Sequence, residues 1–284
     1  MEVICSPAEM TAWAKAEAGV GQRISLVPTM GCFHEGHLSL MRLARGKAGR
    51  VIVSLFVNPL QFGPREDFAA YPRDFERDAR LAAEQGVDVI FAPTAAEMYP
   101  AGFQTKVSVR ELTLHLCGAS RPGHFDGVAT VVSKLFAITR ADCAVFGEKD
   151  FQQLAVIRRM AADLNLGVEI IGHPIVREDD GLAMSSRNTY LELADRPAAL
   201  CLYQSIRLAR KEAAGGQWAT AALAAQVREY ILSFAGTEID YVSFVDAGTL
   251  EPAAVVDEHT LLALAVRING KVRLIDNGFV LRAD

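Results

Sequence analysis

Two histidines three residues apart, His34 and His37, lie in the stretch Pro28-Thr29-Met30-Gly31-Cys32-Phe33-His34-Glu35-Gly36-His37-Leu38. An apolar run over 24–27 leads into it, and the apolar positions Leu38, Leu40, Met41, Leu43 and Ala44 follow at helical spacing. The order reads strand, glycine-bearing turn, helix, with both imidazoles where the helix begins. A helix N-terminus offers unpaired N–H groups and the positive end of the dipole, which suit a phosphate. Gly31 and Gly36 let the backbone approach a ligand closely. Two other readings compete. Histidines at i and i+3 share a helix face and could bind a metal, but the zinc-protease pattern sets its second histidine at i+4, and no strong third ligand is evident here. They could also be structural loop residues.

Three further stretches carry chemistry. Phe56-Val57-Asn58-Pro59-Leu60-Gln61-Phe62 puts two neutral amides just beyond a β-like run, where they could hydrogen-bond an oxygen-rich ligand without adding charge. Gly147-Glu148-Lys149-Asp150, with Gln153 shortly after, follows another such run. Asp150 could contact a ribose or cap the helix that follows. Met184-Ser185-Ser186-Arg187-Asn188 joins hydroxyls to a guanidinium, whose planar fork is not interchangeable with the point charge of Lys149.

The elements that must position these groups alternate. Strands are expected at 24–27, 50–57, 87–93, 142–146 and 168–171, with helices at 9–18, from the histidine-bearing turn to about 47, at 74–85, 128–139 and 151–164. The apolar strands fit a parallel sheet covered on both faces. In such sheets ligands bind beyond the carboxyl ends of the strands. The stretch 94–125, with Arg121-Pro122-Gly123-His124-Phe125 at its end, is expected to be irregular, and 174–181 a connector. Beyond it come an alanine-rich helical pair, 195–214 and 219–234, and strands at 240–246, 261–268 and 272–276. Asn269-Gly270 is a type I′ hairpin signal. The expected architecture is α/β: a parallel-sheet domain over 1–177 and a smaller α+β domain over 178–284.

The chain of 284 residues, 51% hydrophobic and 22% charged, has the composition of a globular protein with a sizeable core. A net charge of −5 and a pI near 5.7 argue against a nucleic-acid partner. No apolar stretch approaches the roughly 20 residues of a membrane span, and no signal peptide is evident. Cys5, Cys32, Cys117, Cys143 and Cys201 are odd in number and never in CxxC spacing, which reads as reduced thiols in the cytoplasm.

Together the four stretches closely resemble the pantothenate synthetase family, over essentially the whole chain. The His-x-Gly-His element alone would mark only the wider nucleotidyltransferase superfamily; the Cys32-Phe33 pair is a position that varies between members. The resemblance implies a Rossmann-like N-terminal domain, a C-terminal lid and a homodimer. It implies condensation of pantoate with β-alanine through a pantoyl adenylate, with ATP as substrate and Mg²⁺ beside it. It assigns catalysis to His34, His37, Lys149, Ser185, Ser186 and Arg187, with His37 the foremost donor to the developing charge. ATP would meet these residues and Met30, Gly31, Gly36, Gly147, Glu148, Asp150, Val176 and Met184, the backbone near the last pair serving adenine. Pantoate would meet Gln61 and Gln153, with Pro28, Met30, Phe56, Val131 and Val132 on its methyl groups; core packing explains the two valines nearly as well. β-Alanine would meet Gln61 and Asn58. No residue is assigned to a metal. The competing activities are AMP or CMP transfer to a phosphorylated acceptor, a silent nucleotide-binding module and a metal hydrolase.

Overall fold

The computed structural model describes residues 1–64 and 66–282. In chain order its elements are β1 (Glu2–Ile4), α1 (Pro7–Gly19), β2 (Ile24–Thr29), α2 (Glu35–Lys47), β3 (Arg50–Leu55), α3 (Phe75–Glu84), β4 (Val89–Phe91), α4 (Ala95–Met98), α5 (Leu116–Ser120), α6 (His124–Thr139), β5 (Cys143–Gly147), α7 (Phe151–Asp163) and β6 (Glu169–His173). The helices α8 (Arg196–Ala214) and α9 (Thr220–Leu232) and the strands β7 (Thr237–Asp246), β8 (Thr260–Ile268) and β9 (Val272–Phe279) complete it.

The chain divides into two compact units. The first holds Met1–Arg110, Arg121–Glu148 and Gln153–His173; the second holds Glu111–Ser120, Lys149–Gln152 and Pro174–Asp284.

The first unit is a parallel sheet in the order β1-β4-β3-β2-β5-β6. It has six strands, not five. Glu2–Ile4 adds the edge beside β4, and its three residues are too few to show a period in the sequence. Val27, Val51, Val53, Ile90 and Val145 are buried, and Leu40, Met41 and Ala44 of α2 pack with them, so the helical stripe covers one face of the sheet. From β2 the chain steps to β3 and β4 on one side, then β5 and β6 lie on the other. The order therefore reverses between β2 and β5, where open α/β sheets hold their ligands. The stretch expected to be irregular contains two short helices, α4 and α5; Thr94 and Glu97 close the first with a capping box.

The second unit is an antiparallel sheet, β7-β8-β9, whose core of Leu262, Leu264, Val266 and Leu274 packs with Leu202, Ile206, Leu223 and Val227 of α8 and α9. Asn269 and Gly270 both have positive φ (49° and 67°), as a type I′ turn requires, and the Lys271 N–H closes the turn on the Ile268 carbonyl. Residues 174–181 are not a plain connector. Arg177 bridges Ala183 antiparallel and Met184 N–H donates to Val176 O at 2.9 Å, so the segment folds back on itself around Gly181 (φ 99°).

Candidate functional site

The turn after β2 is built before it can bind anything. Gly31 (φ 86°) and Cys32 (φ 54°) are both left-handed, a conformation that glycine adopts at little cost and cysteine does not. A carboxylate holds them there. Asp78 of α3 is 1% exposed and accepts the N–H groups of Cys32 at 2.6 Å and Phe33 at 2.7 Å. Burial pushes its carboxyl above the usual range, working against the two N–H bonds that favour the charged form. A Cβ at Gly31 would lie 3.0 Å from Asp78 Oδ2, so side-chain room is lacking as well. Nothing in the sequence pattern separates Asp78 from the other acidic residues of its amphipathic helix.

Beyond the turn, α2 begins at Glu35, with His34 as its N-cap and His37 at the third position, so both histidines stand at the helix start as the sequence indicates. His34 N–H donates to His37 Nδ1 at 3.4 Å, the returning half of a capping box. The two rings are 4.1 Å apart between centroids, and Phe33, which is buried, lies 5.5 Å from the His37 ring. The pair is therefore set by the helix terminus, and His37 in its neutral form carries its proton on Nε2.

A second cluster of the first unit surrounds the 3-10 turn Pro59–Gln61. Asn58 is buried, donates from Nδ2 to Gly127 O (3.1 Å) and Gln61 Oε1 (3.2 Å), and accepts at Oδ1 from Leu60 N–H (3.2 Å) and Tyr99 Oη–H (2.8 Å). Its amide is committed to the fold, which tells against the expectation that it contacts β-alanine directly. Gln61 Nε2 lies 3.1 Å from Met30 Sδ, which brings the amide and the turn after β2 together. Pro28, Met30, Gln61 and Gln153 are partly exposed, whereas Phe56, Val131 and Val132 are buried. The valines belong to a run of α6 buried almost throughout from Phe125 to Val132, so core packing accounts for them. On α7 the two glutamines differ: Gln152 is buried and donates to the Leu112 and His115 carbonyls (both 2.8 Å), while the Gln153 amide makes no hydrogen bond among the described residues.

The second unit carries the remaining candidates. Lys149 and Asp150 stand in a 3-10 turn, Glu148–Asp150, which runs straight into α7; Lys149 Nζ is 3.9 Å from Asp150 Oδ2, and Asp150 is exposed. The Lys149 carbonyl accepts from Asn277 Nδ2 at 2.8 Å, which fixes the backbone beneath the ammonium. Asp276, next to Asn277, is buried and takes both ends of the Arg177 fork (2.7 and 3.0 Å), while Arg177 stacks 4.0 Å from the Tyr203 ring. Ser185 caps the 3-10 turn Ser186–Tyr190 through a bond from Arg187 N–H (3.3 Å), and Ser186 is buried. Asn188 Nδ2 ties this turn to Glu178 Oε1 (2.7 Å) and Ala183 O (3.1 Å). The Met184 N–H is spent on Val176 O, so adenine would have to use other backbone groups of that pair. Among the described residues, no group of three or more His, Cys, Asp or Glu is arranged to hold a metal ion. No helix among them is long and apolar enough to cross a membrane.

The family model for pantoate-beta-alanine ligase matches residues 2–279. A pantothenate synthetase from Geobacter sulfurreducens is 56% identical over 277 residues, 98% of each chain, and one from Heliobacterium modesticaldum is 58% identical over the same shares. The crystal structure of pantothenate synthetase from Thermus thermophilus superposes with a TM-score of 0.94 at 44% identity, covering 99% of this chain and 100% of that one. That of pantoate-beta-alanine ligase from Francisella tularensis, complexed with beta-gamma ATP and beta-alanine, gives a TM-score of 0.82 at 32% identity, covering 100% and 99%.

Proposed function

We propose a mechanism for this chain, which belongs to the pantoate-beta-alanine ligase family and is an enzyme of that family. The carboxylate of pantoate attacks the α-phosphorus of ATP, giving pantoyl adenylate and releasing pyrophosphate. The amine of β-alanine then attacks the acyl carbon, AMP leaves, and the amine proton is lost as pantothenate forms. The family match over residues 2–279 carries this reading, and the paired imidazoles at the N-terminus of α2 supply its chemistry.

An anionic nucleophile must approach a polyanion, and charge then accumulates on the departing pyrophosphate, so catalysis rests on positioning and on preorganised positive groups. His34 and His37 bind ATP phosphates, with Nε2–H of His37 directed at the charge that develops. Met30, Gly31 and Gly36 supply close backbone. Lys149, Ser185, Ser186 and Arg187 neutralise phosphate oxygens, and Gly147 and Glu148 lead into that lysine. Asp150 binds the ribose; its exposure and its place in a 3-10 turn support that over a capping role. Gln61 and Gln153 hydrogen-bond pantoate, with Pro28, Met30 and Phe56 beside its methyl groups. Mg²⁺ bound with the nucleotide would offset charge on its phosphate oxygens. The donor set fits an ion held by phosphate oxygens and water better than a protein cage, since the described residues form no ligand cluster. The family resemblance carries a homodimer too, which sedimentation of the full chain reads directly. A cytoplasmic location accords with five unbridged cysteines.

Product analysis tests the reaction type. One AMP and one pyrophosphate per pantothenate support the adenylate; ADP and inorganic phosphate would replace it with an acyl phosphate.

A further inference from the structure

The motif Arg121-Pro122-Gly123-His124 has no part in the mechanism above, yet its side chains converge on the main chain of Gln61. The Gln61 carbonyl accepts from His124 Nδ1 at 2.8 Å and from Arg121 Nη2 at 3.3 Å. Arg121 Nη1 lies 3.0 Å from His124 Nε2. A carbonyl only accepts and a guanidinium only donates, so these contacts call for a neutral imidazole with its proton on Nδ1. Glu66 grips the far side of the guanidinium (Nε–Oε1 2.7 Å, Nη2–Oε2 2.6 Å), which sets the plane of the fork.

The side chain of Gln61 is oriented by the same helix. Gly127 O must accept and Leu60 N–H must donate, so the contacts of Asn58 with these backbone groups fix which end of its amide is which. Asn58 Nδ2 then meets Gln61 Oε1, and Gln61 is left presenting its Nε2–H group, on the side of Met30. Backbone contact is equally close: a Cβ at Gly127 would stand 2.3 Å from Leu60 O and 2.7 Å from Gln61 N. Only glycine lets α6 and the Pro59–Gln61 turn meet.

We propose that the entry to α6, the turn before it together with its first turn, selects the acyl substrate: Arg121, His124 and Gly127 are positioning residues that hold Gln61 so that it offers a hydrogen-bond donor to an oxygen acceptor of a hydroxy acid. The proposal rests on the reading of Gln61 as a pantoate ligand. Arg121 is not itself the carboxylate receptor, because Glu66 and His124 occupy its fork.

A double-mutant cycle on the full chain tests it, using His124→Phe, His124→Asn, Gln61→Ala and His124→Phe with Gln61→Ala, each confirmed as folded by its thermal transition. Losing the bond to the Gln61 carbonyl raises the KM for pantoate about tenfold and leaves that for ATP within about twofold. His124→Asn, whose amide N–H stands close to where Nδ1–H was, recovers most of the loss. In the Gln61→Ala background, His124→Phe adds less than about twofold, because it acts through a side chain no longer present. Equal effects on pantoate and ATP, or single-mutant effects that multiply in full, overturn the proposal. Should His124→Phe not fold, Arg121→Gln, which removes the guanidinium contacts with His124 and the Gln61 carbonyl, takes its place in the same cycle, with the same outcomes deciding. Wild-type protein with no pantoate-dependent activity would overturn the functional reading itself and this proposal with it.

Discussion

At the scale of single residues, the site is a set of donors whose directions are fixed by what stands behind them. His37 has its Nδ1 turned back to the His34 N–H, which leaves Nε2–H as the donor that the proposed mechanism uses. His37→Ala should lower the rate of adenylate formation about 100-fold or more, the usual cost of removing one preorganised donor to a developing oxyanion, with little change in pantoate binding. Single-turnover measurement of AMP-bearing intermediate checks this, and an unchanged rate removes His37 from the role. The Gln153 side-chain amide makes no hydrogen bond among the described residues, as suits a group kept for a ligand. Gln153→Ala should raise the KM for pantoate well above any change for ATP; equal changes contradict the assignment. These residues are legible in the sequence because each lies in a short, type-specific motif. Asp78 is not, because its role depends on a bond 45 residues away in sequence, to Phe33. Nor is the commitment of the Asn58 amide, whose partners Tyr99 and Gly127 are equally remote.

At the scale of elements, two turns depend on buried or charged groups from other segments. The left-handed Gly31-Cys32 turn leans on Asp78, so Asp78→Ala leaves one buried and one partly buried N–H group without that acceptor and should cost about 2–4 kcal/mol of stability by urea unfolding. The Pro59–Gln61 turn leans on Arg121 and hence on Glu66. Burial alone would raise the Glu66 pKa, but the hydrogen bonds and charge of Arg121, with the Gly63 N–H, bring it down to about 2. A carboxyl with a depressed folded pKa contributes stability above its unfolded value of 4.5 and loses it as pH falls towards about 2. Wild type should therefore lose stability relative to Glu66→Gln between those limits, as seen by chemical denaturation across pH, and a constant difference would contradict it. Element types are readable from period and apolar runs, as the alternation of β2 to β6 with α2, α3, α6 and α7 attests. Boundaries are less so. The α6 start, at His124 and not 128, is hidden because Gly123, His124 and Asp126 carry no apolar signal, and β1 because three residues set no pattern.

At the scale of the whole molecule, the parallel sheet of the first unit reverses its strand order between β2 and β5, and the sequence brings a chemical motif after each of those strands. That coincidence supports the proposed reaction, and it is visible in the sequence because the strands that end in those motifs are largely apolar. What one sequence could not reveal is that Glu111–Ser120 and Lys149–Gln152 belong with the C-terminal unit, since membership of a unit is a property of contacts made across more than 100 residues. The proposed mechanism has the chain make a reversible acyl adenylate. The most direct test is pantoate-dependent exchange of labelled pyrophosphate into ATP, with Mg²⁺ present and β-alanine left out. Exchange that requires pantoate is the predicted result; ATP binding with no exchange would contradict the account.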